Sequence, residues 1–138
     1  MKAVLVLLFI CTLAACTSAS KLTLYQQLDG KAGITRLVDS FINQIGNDEI
    51  ILPYFSHANV AHFRAGFISH LCALTNGSCE YKGDSMVDIH TGMHITEADF
   101  NRVVDLLINA MNEQQISHSV QNQILAKMAP LRAQIIKI

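Results

Sequence analysis

Apolar residues recur at helical spacing along almost the whole sequence after residue 23. No stretch alternates apolar and polar residues, as a half-buried strand would. The spacing predicts helices over residues 23–28, 32–45, 60–74 and 96–111, and a last one from Ser117 or Ser119 towards Ile136. Residues 85–90 are predicted to form only a short helical turn, and Pro130 predicts a kink or early end of the last helix. Five or six helices in one small chain predict a compact all-α domain.

The first fifteen residues are predicted to be a signal peptide rather than part of this domain. Lys2 precedes an apolar run over residues 4–12, which is too short for a membrane-spanning helix of about 20 residues. The sequence Leu13-Ala14-Ala15-Cys16 that follows resembles a bacterial lipobox, in which small residues fit the peptidase and the cysteine thiol takes the lipid. The alternative is an ordinary secretory signal with a cysteine there by coincidence.

The lipobox implies a lipid-anchored protein of the cell envelope. Thr17 stands where an aspartate would favour retention in the inner membrane, so we expect the periplasmic face of the outer membrane. Residues 16–23 would be the lipidated cysteine and a short polar tether, and residues 24–138 the domain. Ten Lys and Arg residues stand against eleven Asp and Glu residues. Because no basic cluster is present, we expect no nucleic-acid partner.

Two of the four cysteines remain for the mature domain once Cys11 leaves with the signal peptide and Cys16 takes the lipid. Cys72 and Cys79 form an even pair in an oxidising compartment. A disulfide between them would close a short loop at a helix end and stabilise it by roughly 2 to 3 kcal/mol. A metal site and a redox pair are the alternatives, although neither CxxC nor CxxCH spacing occurs.

Several short motifs spread over the domain match one family in combination. They are Leu24-Tyr25, Leu28-Asp29-Gly30, Phe41, Phe55, Asn76-Gly77, Tyr81-Lys82-Gly83, Met86, His90-Thr91-Gly92-Met93-His94-Ile95-Thr96, Phe100 and Ala129-Pro130-Leu131-Arg132. With these motifs residues 24–136 resemble the group I truncated haemoglobins, which are globins built as two helices packed over two. The Cys72 and Cys79 pair is similar to that of an exported branch. The resemblance implies a two-over-two helical sandwich around one non-covalent haem b.

The resemblance implies that His90 is the proximal ligand of the haem iron. Gly92 and the loop over residues 81–83 would give the backbone the freedom to bring that imidazole to the metal. Taken alone, a histidine in an amphipathic stretch is more often a solvated or satisfied side chain. The resemblance also implies haem contacts by a further set of apolar residues: Phe55, Met86, Met93, Ile95 and Phe100.

The distal side departs from the family pattern. Ile42 stands where many members have a tyrosine, and Phe63 and Phe67 stand where glutamines are common. None of the three can donate the hydrogen bond that holds bound O2, which is worth roughly 1.5 to 3 kcal/mol, or about one to two powers of ten in affinity. The residues therefore predict an apolar haem-binding pocket that releases O2 fast.

Two histidines on the same helix are rival polar groups. His70 follows Phe63 by seven residues and lies almost on the same face, so it is a candidate haem contact, whereas His62 is expected to be exposed. Either Arg64 or His94 could bind the haem propionates, and a solvated surface role is the alternative for both.

The sequence thus predicts a haem protein that binds diatomic gases (O2, NO and CO) in the cell envelope, served by a reductase it does not identify. One alternative is NO dioxygenase or peroxidase chemistry at the same iron, although weak distal polarity argues against efficient NO dioxygenation. Others are a lipoprotein that carries haem or electrons, and a structural lipoprotein without haem.

Overall fold

The computed structural model describes residues 21–138, so the predicted signal peptide and Cys16 lie outside the described residues. Residues 21–138 contain six α-helices and no strand, which confirms the all-α class. The α-helices are α1 (Leu24–Gln27), α2 (Gly30–Gly46), α3 (Val60–Leu74), α4 (Met86–His90), α5 (Glu97–Glu113) and α6 (His118–Met128). There are also two 3₁₀ helices: η1 (Leu52–Phe55) lies between α2 and α3, and η2 (Ala129–Gln134) follows α6.

Polar side chains fix where the helices begin. Thr96 and Asp99 form a capping box at the start of α5, in which each side chain accepts a hydrogen bond from the other's backbone N–H. The side chain of Asn59 caps α3, and that of Ser85 caps the short helix α4. These bonds satisfy amide groups that have no partner inside the helix.

The last helix ends earlier than the apolar pattern predicts. The last helix was expected to run from Ser117 or Ser119 towards Ile136, with a kink or early end at Pro130. The early end is confirmed, because α6 ends at Met128 and the chain continues as η2. Pro130 lies at the start of η2, where it has no amide hydrogen to continue the α-helical ladder. Because a 3₁₀ helix has about three residues per turn instead of 3.6, the side chains after Met128 no longer continue the buried face of α6.

Helix α2 is the centre of the packing, because it lies against both α3 and α5. Its buried face includes Ile34, Leu37 and Val38, which have no exposed surface, and Phe41, which has almost none. Met111 of α5 is likewise fully buried. In contrast, α4 and α6 both pack on η2. The domain therefore has two groups of helices: α2 with α3 and α5, and η2 with α4 and α6.

A partly buried ion pair holds the connection after α2. The Asp48 side chain is only 5% exposed and binds Arg102 of α5 at 2.7 Å. Its carboxylate also accepts hydrogen bonds from the backbone N–H groups of Ile50 and Ile51. The Arg102 guanidinium holds the pKa of Asp48 below its ordinary value. Together these bonds set the direction in which the chain enters η1.

Cys72 and Cys79 form the predicted disulfide, with 5.8 Å between their Cα atoms. The bridge ties the end of α3 to the segment that leads to Tyr81. Gly77 lies under it, and a Cβ atom there would come within 2.8 Å of both Cys72 Sγ and the Tyr25 ring. The turn between the cysteines therefore requires a residue without a side chain.

No helix within residues 21–138 combines the length and the apolarity that crossing a bilayer requires.

Replacing both Cys72 and Cys79 by alanine is expected to lower the free energy of unfolding by about 2 kcal/mol, because the unfolded chain loses a short covalent loop. Urea titrations of the two forms at equal pH measure the difference. Reductant should destabilise the wild-type chain by a similar amount and leave the double variant unchanged. Equal midpoints for the oxidised wild-type chain and the variant would contradict this account.

Candidate functional site

A cavity of about 460 Å³ lies between the two groups of helices. Its volume falls within the range of ligand pockets, roughly 300 to 1,000 Å³. Side chains from α2, η1, α3, α4, α5, α6 and η2 line it, and most of them are apolar. A space of this shape suits a largely apolar ligand of substantial size.

His90 lies on the cavity wall as the last residue of α4. Its Nδ1 is 2.7 Å from the carbonyl oxygen of Met86, one turn earlier. Because a carbonyl oxygen can only accept, Nδ1 must carry the proton of this hydrogen bond. In the neutral imidazole this leaves a lone pair on Nε2, which is the form of histidine that binds a metal.

The backbone after His90 is held by the C-terminal tail. Gly92 has a φ of 81°, a left-handed conformation that glycine adopts without strain. Its N–H donates to an oxygen of Ile138 at 3.2 Å, and the N–H of Lys137 donates to the carbonyl of Ile95 at 3.1 Å. These long-range bonds fix the segment that carries Met93 and Ile95 on the wall.

Aromatic rings form the wall on the side of α2 and α3. Phe67 stands 5.4 Å from Phe41 and 5.7 Å from Phe63, and Phe63 stands edge-on to Phe55 at 5.1 Å, as measured between ring centroids. Phe41, Phe55 and Phe67 line the cavity, whereas Phe63 packs behind them. None of these side chains can donate a hydrogen bond.

His70 is the polar exception on this wall. Its Nε2 is a buried side-chain atom without a hydrogen-bond partner, and no other side-chain nitrogen or oxygen within residues 21–138 shares this state. The ring stands edge-on to Tyr81, with 5.0 Å between centroids. Burial lowers the pKa of His70 below its ordinary value, so the imidazole is neutral at neutral pH.

A second polar group lies on the wall between η1 and α5. The hydroxyl of Tyr54 donates to Asp99 at 2.8 Å, and both residues line the cavity. The pKa of Asp99 is lowered by hydrogen bonds from Thr96 and then from Tyr54, while the bond to Asp99 raises the pKa of Tyr54. The Tyr54 hydroxyl and the Asp99 carboxylate therefore stay bonded to each other, and the bond joins η1 to the start of α5.

Arg132 brings a positive charge to the cavity wall from η2. Its guanidinium lies 5.8 Å from the centre of the Phe100 ring and 3.3 Å from the Glu97 carboxylate. The side chain is 46% exposed, so this ion pair lies at the surface.

The cavity brings together most of the residues that the sequence analysis selected: Phe55, Phe67, His70, Met86, His90, Met93, Ile95 and Phe100. Ile42 and Phe63 are partly buried against the core and do not line it. Arg64 and His94 do not line it either. Arg64 is bound to Asp39 through two hydrogen bonds.

Six further residues line the cavity that the sequence did not predict: Ile51, Tyr54, Ile89, Leu125, Met128 and Ile135. Leu125 and Met128 reach the wall on α6, and Ile135 directly after η2. The break in that helix at Pro130 was a signal for a change of face, but its direction could not be read from spacing. Within residues 21–138 no group of three His, Cys, Asp or Glu side chains is arranged to hold a metal ion.

Two facing groups of helices around an apolar cavity, with the imidazole of His90 on its wall, define the architecture of a small globin. Residues 23–137 match the family of bacterial-like globins, and the chain belongs to this family. It is similar to the group 1 truncated hemoglobin of Tetrahymena thermophila, with 26% identity over 98 residues, covering 71% of this chain and 81% of that one. It is also similar to the group 1 truncated hemoglobin GlbN of a Nostoc species, with 24% identity over 83% of this chain and 97% of that one.

Solved structures share the fold. The Fe(III) form of truncated hemoglobin from Tetrahymena pyriformis superposes with a TM-score of 0.81 at 22% identity, over 85% of this chain and all of that chain. The 2/2 hemoglobin of a Synechococcus species superposes with a TM-score of 0.75 at 18% identity, over 82% of this chain and 95% of that one. These likenesses show that the domain is a 2-on-2 globin.

Proposed function

We propose that this globin binds one haem b without a covalent link, with His90 as the proximal ligand, and that it binds diatomic gases reversibly in the cell envelope. The observation that carries the proposal is the hydrogen bond from His90 Nδ1 to the carbonyl of Met86. It directs the metal-binding nitrogen of a cavity-wall imidazole away from its own helix. The Synechococcus hemoglobin carries covalently attached heme; this supports the class of cofactor proposed here, but not the absence of a covalent link.

The residues of the cavity fit such a group. Haem is a flat, mainly apolar molecule, and Phe55 and Phe67 offer it aromatic surface on one wall. Met86, Met93 and Ile95 offer flexible apolar surface beside His90 on the other. When bound, the haem iron supplies the coordination position at which a diatomic gas is held.

The chain's own residues decide which gas is held well. Phe41 and Phe67 present apolar rings to the cavity from the wall of α2 and α3, and neither can donate a hydrogen bond. O2 depends on such a donor more than CO or NO does. The pocket therefore favours CO and NO and releases O2 fast.

The proposed location depends on the lipobox of residues 13–16, which lies before the described domain. Helix α1 begins at Leu24, so a tether of a few polar residues would separate the lipid from the globin. The Cys72–Cys79 disulfide is consistent with an oxidising compartment.

Absorption spectra of the purified protein with haem, in ferric and ferrous forms and with CO, test the haem proposal. We expect an intense Soret band that shifts with CO. The substitution His90→Ala should weaken haem retention by more than about tenfold, since even indirect loss of ligand support costs about 10- to 100-fold. The control is His94→Ala, an exposed histidine off the cavity wall. A wild-type chain without a Soret band would contradict the proposal.

A donor introduced at Phe67 tests the apolar wall. Phe67→Gln places an amide next to the gas, and we expect O2 to dissociate about 10- to 100-fold more slowly, because a hydrogen bond to a charged acceptor is worth roughly 1.5 to 3 kcal/mol. Phe67→Leu, which adds no donor, should leave the rate within a few-fold of wild type. Stopped-flow displacement of O2 by CO measures all three rates. Slow O2 release from the wild-type protein would show that another donor is present.

Lipidation is tested by growing cells that express the chain with a labelled fatty acid. The wild-type protein should carry the label and partition with membranes. Cys16→Ser should abolish the label, because serine lacks the thiol that takes the diacylglycerol. Cys11→Ser is the matched control and should keep it. Equal labelling of the Cys16→Ser variant and the wild-type chain would contradict the lipobox.

A further inference from the structure

The buried imidazole of His70 has no partner in the protein. Its Nε2 is the only buried side-chain nitrogen or oxygen without a hydrogen bond in the part of the chain that the structure describes. Buried polar atoms in native proteins are almost always paired, because an unpaired one keeps its desolvation cost. A nitrogen left in this state on the wall of a ligand cavity indicates that its partner is part of the ligand.

His70 lies at the edge of the aromatic wall rather than among its phenylalanine rings. It follows Phe67 by three residues on α3, which moves it about 4.5 Å along the helix axis. Phe67 is the residue that packs among Phe41 and Phe63. His70 instead contacts Tyr81, whose hydroxyl donates to the carbonyl of Asp84 in a loop. This edge is where the charged end of an otherwise apolar ligand would meet the loop.

The space beside His70 on its own helix is open. Gly66 stands one turn before it, and residues four apart share a face of a helix. A Cβ atom at Gly66 would meet nothing within 4 Å. Gly66 therefore places no side chain beside the imidazole.

The arginines of the domain are already bound to carboxylates. Within residues 21–138 each of the four arginines forms an ion pair: Arg36 with Asp29, Arg64 with Asp39, Arg102 with Asp48 and Arg132 with Glu97. Of the two tyrosine hydroxyls on the wall, that of Tyr54 donates to Asp99 and that of Tyr81 to a carbonyl. An anionic group that enters the cavity therefore meets His70 as the buried donor that is not yet engaged.

We propose that His70 Nε2 donates a hydrogen bond to a propionate carboxylate of the haem; this inference rests on the haem binding proposed above. Haem b carries its two carboxylates on one edge of an apolar ring, which matches an apolar wall that has one donor at its edge. Burial keeps the imidazole neutral in the protein alone. Beside a carboxylate the ring gains a favourable charge partner, so proton uptake would turn the contact into a charge-assisted bond.

The test compares two forms of the cofactor in two forms of the protein. The wild-type chain and His70→Leu are each loaded with haem b or with its dimethyl ester, in which the carboxylates are blocked. The rate of transfer to an excess of a haem-scavenging apoprotein is then measured. We expect His70→Leu to lose haem b about 10- to 100-fold faster than wild type. With the dimethyl ester, the two proteins should differ by less than about threefold.

Two variants separate this role from general damage. His70→Gln keeps an N–H donor and should recover much of the retention of haem b. His62→Leu, at an exposed histidine of the same helix, should behave as wild type. Helical circular dichroism before loading checks that each variant is folded.

Three results would overturn the assignment. Equal acceleration for haem b and the ester would mean that His70 only packs on the ring. A change from a low-spin to a high-spin ferric spectrum in His70→Leu would make His70 an iron ligand instead. Unchanged retention of haem b would mean that the carboxylates bind elsewhere, with Arg132 as the next candidate. A wild-type chain that gives no Soret band would defeat the proposed function itself, a result independent of any His70 variant.

Discussion

The two groups of helices in this domain enclose a space that their side chains do not fill, and the rest of the structure depends on that constraint. Protein interiors are normally packed to the density of organic crystals, and missing contacts destabilise them. Here α2 packs on α3 and α5, while α4 packs on η2, and a cavity of about 460 Å³ lies between the two groups. A flat apolar ligand that enters it restores the contacts that the side chains cannot make with each other. The ligand is in this sense part of the core.

The two walls of the cavity differ in the length of the helices that build them. The wall of α2 and α3 belongs to long helices whose buried faces are fixed by core packing, and it presents aromatic rings. The other wall includes a helix of five residues, which Ser85 caps and which ends at His90. The bonds of Gly92 and Lys137 to distant backbone atoms hold that short segment in place. The imidazole of His90 on this segment is oriented by its surroundings and by its own bond to Met86.

The sequence predicted the helices well where one face is buried. The bounds of α3 and the capping box of α5 follow from apolar spacing and from side chains close in sequence, which are local signals. His90 was selected only through the motifs around it, because a histidine carries no such signal alone. The bond of Tyr54 to Asp99 and the arrival of Met128 and Ile135 at the cavity were not predicted. They depend on packing between segments far apart in sequence, and on a change to 3₁₀ geometry at Pro130.

The central claim is that His90 Nε2 binds the haem iron with its Nδ1 bonded to the Met86 carbonyl. Resonance Raman spectroscopy of the ferrous protein without added gas tests it through the iron–histidine stretching band. The account predicts a band in the wild-type protein that is lost in His90→Gly and returns at a shifted frequency when imidazole is added, since the free ligand lacks the bond to Met86. A band that persists unchanged in His90→Gly without imidazole would contradict it.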